Sequence, residues 1–216
     1  MIFNKDMLTL YAITDRRYND KLSLYKQVEE ALKGGVTIVQ LREKELDEDT
    51  FTQEALQLKE LCHRYNVPLI INDNLAVALR SGADGIHVGL NDMPIDEIRR
   101  RTGRDFIIGA TAKTVSQAQT AQSMGADYLG VGAVFPSSTK TDAVRVTKEQ
   151  LNEISESVSI PIVAIGGITC DNAIELSGSR ISGIAVVSSL FGADDIMSTA
   201  EVLKKTAERL TGNENF

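Results

Sequence analysis

Short apolar runs alternate with longer amphipathic stretches along the whole chain. The apolar runs cover 8–13, 37–41, 68–71, 85–88, 106–108, 128–131, 161–165 and 183–187. They are rich in Val, Ile and Leu and show little polar alternation, the pattern of parallel strands buried on both faces. Between them the period lengthens to that of a helix. From 49 to 66, apolar residues fall at Phe51, Ala55, Leu58, Cys62 and Tyr65, steps of four and three that place them on one face. Similar stretches cover 22–33, 75–81, 94–101, 115–124, 147–157, 171–178 and 194–210. Glycine recurs just before strands, at Gly34-Gly35, Gly82, Gly125 and Gly183. There it can take the left-handed turn that ends a helix. Eight strand–helix units joined by right-handed crossovers predict a single (β/α)8 barrel of the TIM-barrel class over 1–216, with a loose tail at 212–216. An open doubly wound sheet is the competing arrangement. It would favour a GxGxxG turn after the first strand, where this chain has Tyr11-Ala12-Ile13-Thr14-Asp15.

The bulk properties narrow the class. A length of 216 residues suits one barrel domain, and 43% hydrophobic with 25% charged residues is ordinary for a globular chain. A net charge of −7 with no dense basic block argues against a nucleic-acid groove. Two cysteines, Cys62 and Cys170, form neither a disulfide framework nor a paired metal motif. The first fifteen residues lack the pattern of a signal peptide, and no apolar run is long enough to span a membrane. The expected setting is the cytoplasm. The expected partners are small phosphorylated molecules, with no nucleic acid and no membrane, and the sequence is compatible with a homo-oligomer.

In such a barrel the chemistry sits at the carboxyl ends of the strands. The second run ends Gln40-Leu41-Arg42-Glu43-Lys44, and period two puts Gln40, Arg42 and Lys44 on one side. Arginine grips a phosphate with two parallel hydrogen bonds and lysine adds a point charge; the alternative is a solvated charge cluster. Asp73 follows the third strand and Asp92 the fourth. Alone, Asp73 could cap a helix and Asp92 could shape a turn. Together, beside cations, they are better explained as carboxylates for Mg²⁺ carrying a diphosphate. His87 receives no role. Thr111 offers a hydroxyl to a phosphate or a cap to the next helix. The sixth strand leads into Pro136-Ser137-Ser138-Thr139-Lys140, a loop of hydroxyls and one cation suited to an oxyanion. Gly166-Gly167 after the seventh strand and Ser188 after the eighth match the position where barrels often hold a phosphate.

Read in order, QLREK, IND, GxHxG followed by Asp, PSSTK, AIGGI and VVS resemble the strand-end motifs of the thiamine-phosphate synthase family, over nearly the whole chain from Tyr11 to about Phe191. The resemblance implies a transferase that joins hydroxymethylpyrimidine diphosphate to a thiazole phosphate, giving thiamine phosphate and pyrophosphate. It implies contacts to the pyrimidine diphosphate from Gln40, Leu41, Arg42, Glu43, Lys44, Asn72, Thr111 and Lys140, with Arg42, Lys44 and Lys140 neutralising the leaving group. It implies Mg²⁺ on Asp73 and Asp92. Ser137, Ser138, Thr139, Gly167, Val187 and Ser188 would meet the thiazole phosphate. The chain departs from the family pattern in three places: Thr111 stands where Ser is usual, Ser137 where Thr is frequent, and Lys113 where relatives often carry His. The competing functions are a thiazole tautomerase and a non-catalytic phosphate-binding barrel. The first needs the histidine that Lys113 replaces, and the second has no need of paired carboxylates. Sugar-phosphate epimerases would need a proton-abstracting pair that the sequence does not offer.

Overall fold

The computed structural model describes residues 2–18, 20, 22–136 and 145–212. Eight parallel strands close into a barrel in chain order, β1 pairing with both β2 and β8. They are β1 Leu10–Ile13, β2 Ile38–Leu41, β3 Leu69–Asn72, β4 Gly85–Val88, β5 Ile107–Ala112, β6 Tyr128–Gly132, β7 Ile162–Ile165 and β8 Gly183–Val186. The helices are α1 Leu24–Lys33, α2 Glu48–Arg64, α3 Leu75–Ser81, α4 Ile95–Thr102, α5 Val115–Ser123, α6 Lys148–Glu156, α7 Ser188–Phe191 and α8 Ile196–Thr211.

Two apolar layers hold this together. One lies between barrel and helices and includes Leu41, Leu58, Leu69, Ile71, Leu129 and Leu203. The other fills the barrel, with Tyr11, Ile13, Ile38, Ile70, Ile107, Tyr128 and Val163. Strand alternation divides them, since neighbouring residues point to opposite faces. In α2, Asp47 caps the amino end by accepting from the Asp49 and Thr50 amides, and Phe51, Ala55, Leu58, Leu61 and Cys62 form the buried stripe. Tyr65, expected on that stripe, is instead the exposed carboxyl cap. Leu58 is 1% exposed. Leu58→Ala should therefore cost about 2–5 kcal/mol, read from urea denaturation midpoints.

Besides Tyr65, the structure differs from the sequence expectation in four further places. The first apolar run is split: Lys5–Leu8 forms a 3-10 helix and the strand begins only at Leu10. Asn4 closes that turn by accepting from the Asp6 and Met7 amides at 3.0 and 3.3 Å. Leu8 joins the barrel interior, Phe3 packs against it, and the Phe3 ring stacks on Tyr128 at 5.8 Å. This segment plugs the amino end of the barrel. Strand β5 runs on through Gly109-Ala110-Thr111-Ala112, small residues that carry no hydrophobic signal yet pair fully with β6. The expected helix at 171–178 shrinks to a 3-10 turn, Ala173–Leu176. Thr169 and Asn172 exchange hydrogen bonds there, and Asn172 Nδ2 donates to the Gly167 carbonyl at 2.9 Å. Last, Gly183 is not a helix terminator but the first residue of β8; a Cβ there would lie 1.8 Å from the Leu8 carbonyl oxygen. Gly35, Gly82 and Gly125 do have positive φ, as expected. Gly212 ends α8 in the left-handed conformation, and 213–216 lie outside the described residues.

Candidate active site

With the amino end plugged, the cavity opens at the carboxyl ends of the strands. Its walls include Tyr11, Ile13, Gln40, Arg42, Asn72, His87, Thr111, Lys113, Gly130, Gly132, Gly166, Gly167, Val187 and Ser188. Alternation along β2 sorts its strand-end residues. Gln40 points inward, 3% exposed, and its Nε2 donates to the Tyr11 hydroxyl at 2.7 Å. Arg42 follows on the same side and lines the cavity, its amide donating to Thr14 Oγ1 at 3.0 Å. Leu41 and Glu43, both expected at the pyrimidine diphosphate, turn their side chains away from the cavity. Leu41 lies in the barrel–helix layer. Glu43 accepts from Arg16 Nε at 3.0 and 3.1 Å.

Beyond Arg42, Lys44 reaches across to β3, where its Nζ donates to Asp73 Oδ2 at 2.5 Å. Asp73 has a left-handed backbone, φ +62°, held by its amide donating to the His87 carbonyl at 2.9 Å. Its carboxyl meets that of Asp92, whose Oδ2 also accepts from the Gly89 amide at 2.6 Å. Burial works against ionisation of Asp73, but the Lys44 and Asp92 contacts outweigh it and hold its carboxyl below the usual range. Asp92 moves the other way: burial and the adjoining Asp73 carboxyl raise it. Two like charges in contact resist simultaneous ionisation unless a cation joins them. Asn72 lines the cavity one residue before this pair.

Thr111 sits on the inner face of β5 with its Oγ1 3.1 Å from His87 Nε2. It does not cap α5; Thr114 does, accepting from the Gln117 amide. Lys113 stands above it on the cavity wall. Across the cavity, Gly166 and Gly167 turn with φ +101° and +66°. Their lack of side chains also admits a neighbour, because a Cβ on Gly167 would sit 2.2 Å from the Pro136 carbonyl oxygen. Val187 and Ser188 line the same wall, Ser188 opening the short helix α7. Ser137, Ser138, Thr139 and Lys140 lie outside the described residues. The flanks of that segment are pinned beside β7: Val134 and Phe135 amides donate to the Ile165 and Gly166 carbonyls at 3.0 Å. On the returning side, the Val146 amide donates to the Ala133 carbonyl at 2.8 Å.

Sequence reading at strand ends misses Tyr11 and Tyr128, which face inward from within β1 and from the start of β6. The signal was there in the inward alternation of Tyr11 with Ile13 and of Tyr128 with Gly130. Asp15, at the end of β1, also goes unremarked. Burial opposes its ionisation, but hydrogen bonds and charge from Arg17, with Arg42 adding to them, hold its carboxyl below the usual range. A depressed carboxyl adds stability that is complete above its unfolded value and is lost as pH falls through the lower folded value. Asp15→Asn should therefore lose less stability than the parent between about pH 6 and about pH 3, measured as the drop in urea midpoint.

The closed parallel barrel, with one deep cavity at the carboxyl ends of its strands, defines a (β/α)8-barrel enzyme. Residues 10–190 match the family model described as thiamine monophosphate synthase. A thiamine-phosphate synthase of Ruminiclostridium cellulolyticum is 49% identical over 195 residues, 90% of this chain and 93% of the relative. One from Methanobrevibacter smithii is 48% identical, covering 92% and 94%. The solved thiamine phosphate pyrophosphorylase of Pyrococcus furiosus superposes with a TM-score of 0.88 at 39% identity, covering 95% of this chain and 98% of that one. The chain belongs to the thiamine monophosphate synthase family and is a transferase. No helix among the described residues is long and apolar enough to cross a membrane.

Proposed function

We propose that this chain is a working thiamine-phosphate synthase, joining hydroxymethylpyrimidine diphosphate to a thiazole phosphate with release of pyrophosphate. One observation supports the reading: Lys44, Asp73 and Asp92 meet just beyond the strand ends where Arg42 and Asn72 line the cavity, whose opposite wall is the glycine backbone at 166–167 and Ser188. The first group suits a diphosphate and the second a monophosphate.

The paired carboxylates fit Mg²⁺, since a divalent cation between them would offset the repulsion by which Asp73 holds the Asp92 carboxyl above its usual range. Bound there, Mg²⁺ would draw negative charge off the departing diphosphate. Arg42 and Lys44 stabilise the same charge from the protein side, together with Lys140 from the sequence after β6. Asn72 and Thr111 hold the pyrimidine diphosphate above the barrel, and Gln40 holds the ring below. Leu41 and Glu43 contribute through their backbone, since their side chains point elsewhere. Ser137, Ser138, Thr139, Gly167, Val187 and Ser188 seat the thiazole phosphate so that its ring nitrogen faces the pyrimidine methylene carbon.

Departure of pyrophosphate leaves a cation stabilised by the pyrimidine ring, and the thiazole nitrogen closes the new carbon–nitrogen bond. No side-chain nucleophile or general base is required. The protein positions two anions and stabilises one leaving group. The two cysteines are unpaired, which fits a reducing cytoplasm. The test is direct: the chain, supplied with both substrates and Mg²⁺, should release pyrophosphate and thiamine phosphate in equal amounts. Absence of both products would end this reading.

A further inference from the structure

Five side chains inside the barrel form one hydrogen-bonded line across it. Gln40 Nε2 donates to the Tyr11 hydroxyl at 2.7 Å. The Tyr11 and Tyr128 hydroxyls are 2.7 Å apart. The Tyr128 hydroxyl lies 3.2 Å from His87 Nδ1, and His87 Nε2 lies 3.1 Å from Thr111 Oγ1. The line starts on β2 and ends on β5, and both ends open on the cavity. Its two phenols are nearly closed to solvent, Tyr11 1% and Tyr128 0% exposed, while Tyr11 and His87 also form part of the cavity wall. Gly109 makes room for it: a Cβ there would lie 2.1 Å from the Tyr128 ring and 2.6 Å from His87 Nδ1.

A line of this kind has a direction. Burial pushes both phenols up, so each stays neutral and has one proton to give. With the Gln40 amide donating to Tyr11, the sense that leaves neither buried phenol proton unpaired along the line has Tyr11 donating to Tyr128 and Tyr128 to His87 Nδ1. The imidazole proton then belongs on Nε2 and points at the Thr111 oxygen. Thr111 keeps its own hydrogen for the cavity, and Gln40 keeps its carbonyl oxygen. The opposite direction inverts both ends: Gln40 would show the cavity an amide N–H and Thr111 only lone pairs. Each bond in a connected line favours the sense of the next.

We propose that Tyr11, Tyr128 and His87 are positioning residues that hold Gln40 as an acceptor and Thr111 as a donor on facing walls, and thereby select the aromatic substrate by its hydrogen-bonding sense. This rests on the reading above, in which Gln40 and Thr111 meet the pyrimidine. An aminopyrimidine fits: its amino group donates to Gln40 Oε1, while a ring nitrogen or phosphate oxygen accepts from Thr111. A pyrimidinone, with oxo in place of amino, presents an acceptor where Gln40 needs a donor.

The decisive measurement is a double-mutant cycle on kcat/KM for the pyrimidine diphosphate. Gln40→Leu and Thr111→Val should fail to multiply by about fivefold or more in the parent, because removing Gln40 frees the line to reverse. In a Tyr128→Phe background, which keeps the ring and breaks the line, the two effects should simply multiply. Effects that multiply in the parent as well would overturn the proposal, since side chains that only fill the barrel would behave that way. A second readout needs no turnover. The ¹⁵N shifts of His87 should report the Nε2–H tautomer, with a mixture in Tyr128→Phe. The other histidine, His63, is exposed and bonded to Asp84, so His63→Gln assigns the signals. An Nδ1–H or doubly protonated His87 in the parent overturns the proposal even if the enzyme is active. A parent that makes no thiamine phosphate but shows the expected tautomer fails the functional reading alone.

Discussion

Asp73→Asn should lower pyrophosphate release by about 10²–10³-fold while leaving thiazole phosphate binding within about twofold. Asn keeps the shape and one oxygen but carries no charge. Lys44 would then lose the carboxylate it holds at 2.5 Å, and Asp92 would lose the neighbour that raises it. Asp92 would titrate closer to an ordinary aspartate and bind a divalent ion alone, with one protein charge in place of two. Asp92→Asn should act similarly on turnover. It also weakens the acceptor for the Gly89 amide at 2.6 Å, so a modest loss of stability should accompany it. Saturation curves against Mg²⁺ and against each substrate separate these effects. Unchanged turnover in both variants would remove the metal from the proposed mechanism. The thiazole side should be spared because Gly167 and Ser188 are carried by β7 and β8, across the barrel from β3 and β4.

The complementary experiment is Gly167→Ala. At φ +66° an alanine pays for the left-handed conformation by about 1–2 kcal/mol. Its Cβ would also stand 2.2 Å from the Pro136 carbonyl oxygen and 2.8 Å from that of Phe135. Neither is the soft end of a flexible side chain, so the backbone at 135–136 has to move. That backbone leads straight into Ser137, Ser138 and Thr139. We expect the KM for thiazole phosphate to rise by at least about tenfold, or about 1.4 kcal/mol, with a smaller change for the pyrimidine substrate. Thermal unfolding should show a loss of about 2 kcal/mol or more. Unaltered thiazole kinetics would detach this glycine from the second anion site.

The barrel was legible because its strands are buried on both faces and its helices on one, which writes two distinct periods into the chain. Boundaries failed where hydrophobicity stops carrying information. Gly109 to Ala112 extend β5 through pairing alone, and Leu8 is apolar because it plugs the barrel, not because it is a strand residue. In the site, charged residues at strand ends could be read directly, since a cation beside a buried strand has few other reasons to be there. Alternation also separated Gln40, Arg42 and Lys44 from Leu41 and Glu43, although the family resemblance grouped all five. What the sequence could not yield was partnership. Nothing in the spacing of Tyr11, His87 and Tyr128 says that their polar atoms meet, because that depends on barrel closure and on the empty space at Gly109.

The plug formed by Phe3 and Leu8 makes the barrel a blind well with one mouth. Whatever seats at the bottom must arrive before anything settles over it. On the function proposed above, a ring held by Gln40 at the bottom would load ahead of a ligand held at the rim, and product-inhibition kinetics would show that order. Order of addition would then follow from the shape of the vessel, set by Phe3 and Leu8 at the closed end.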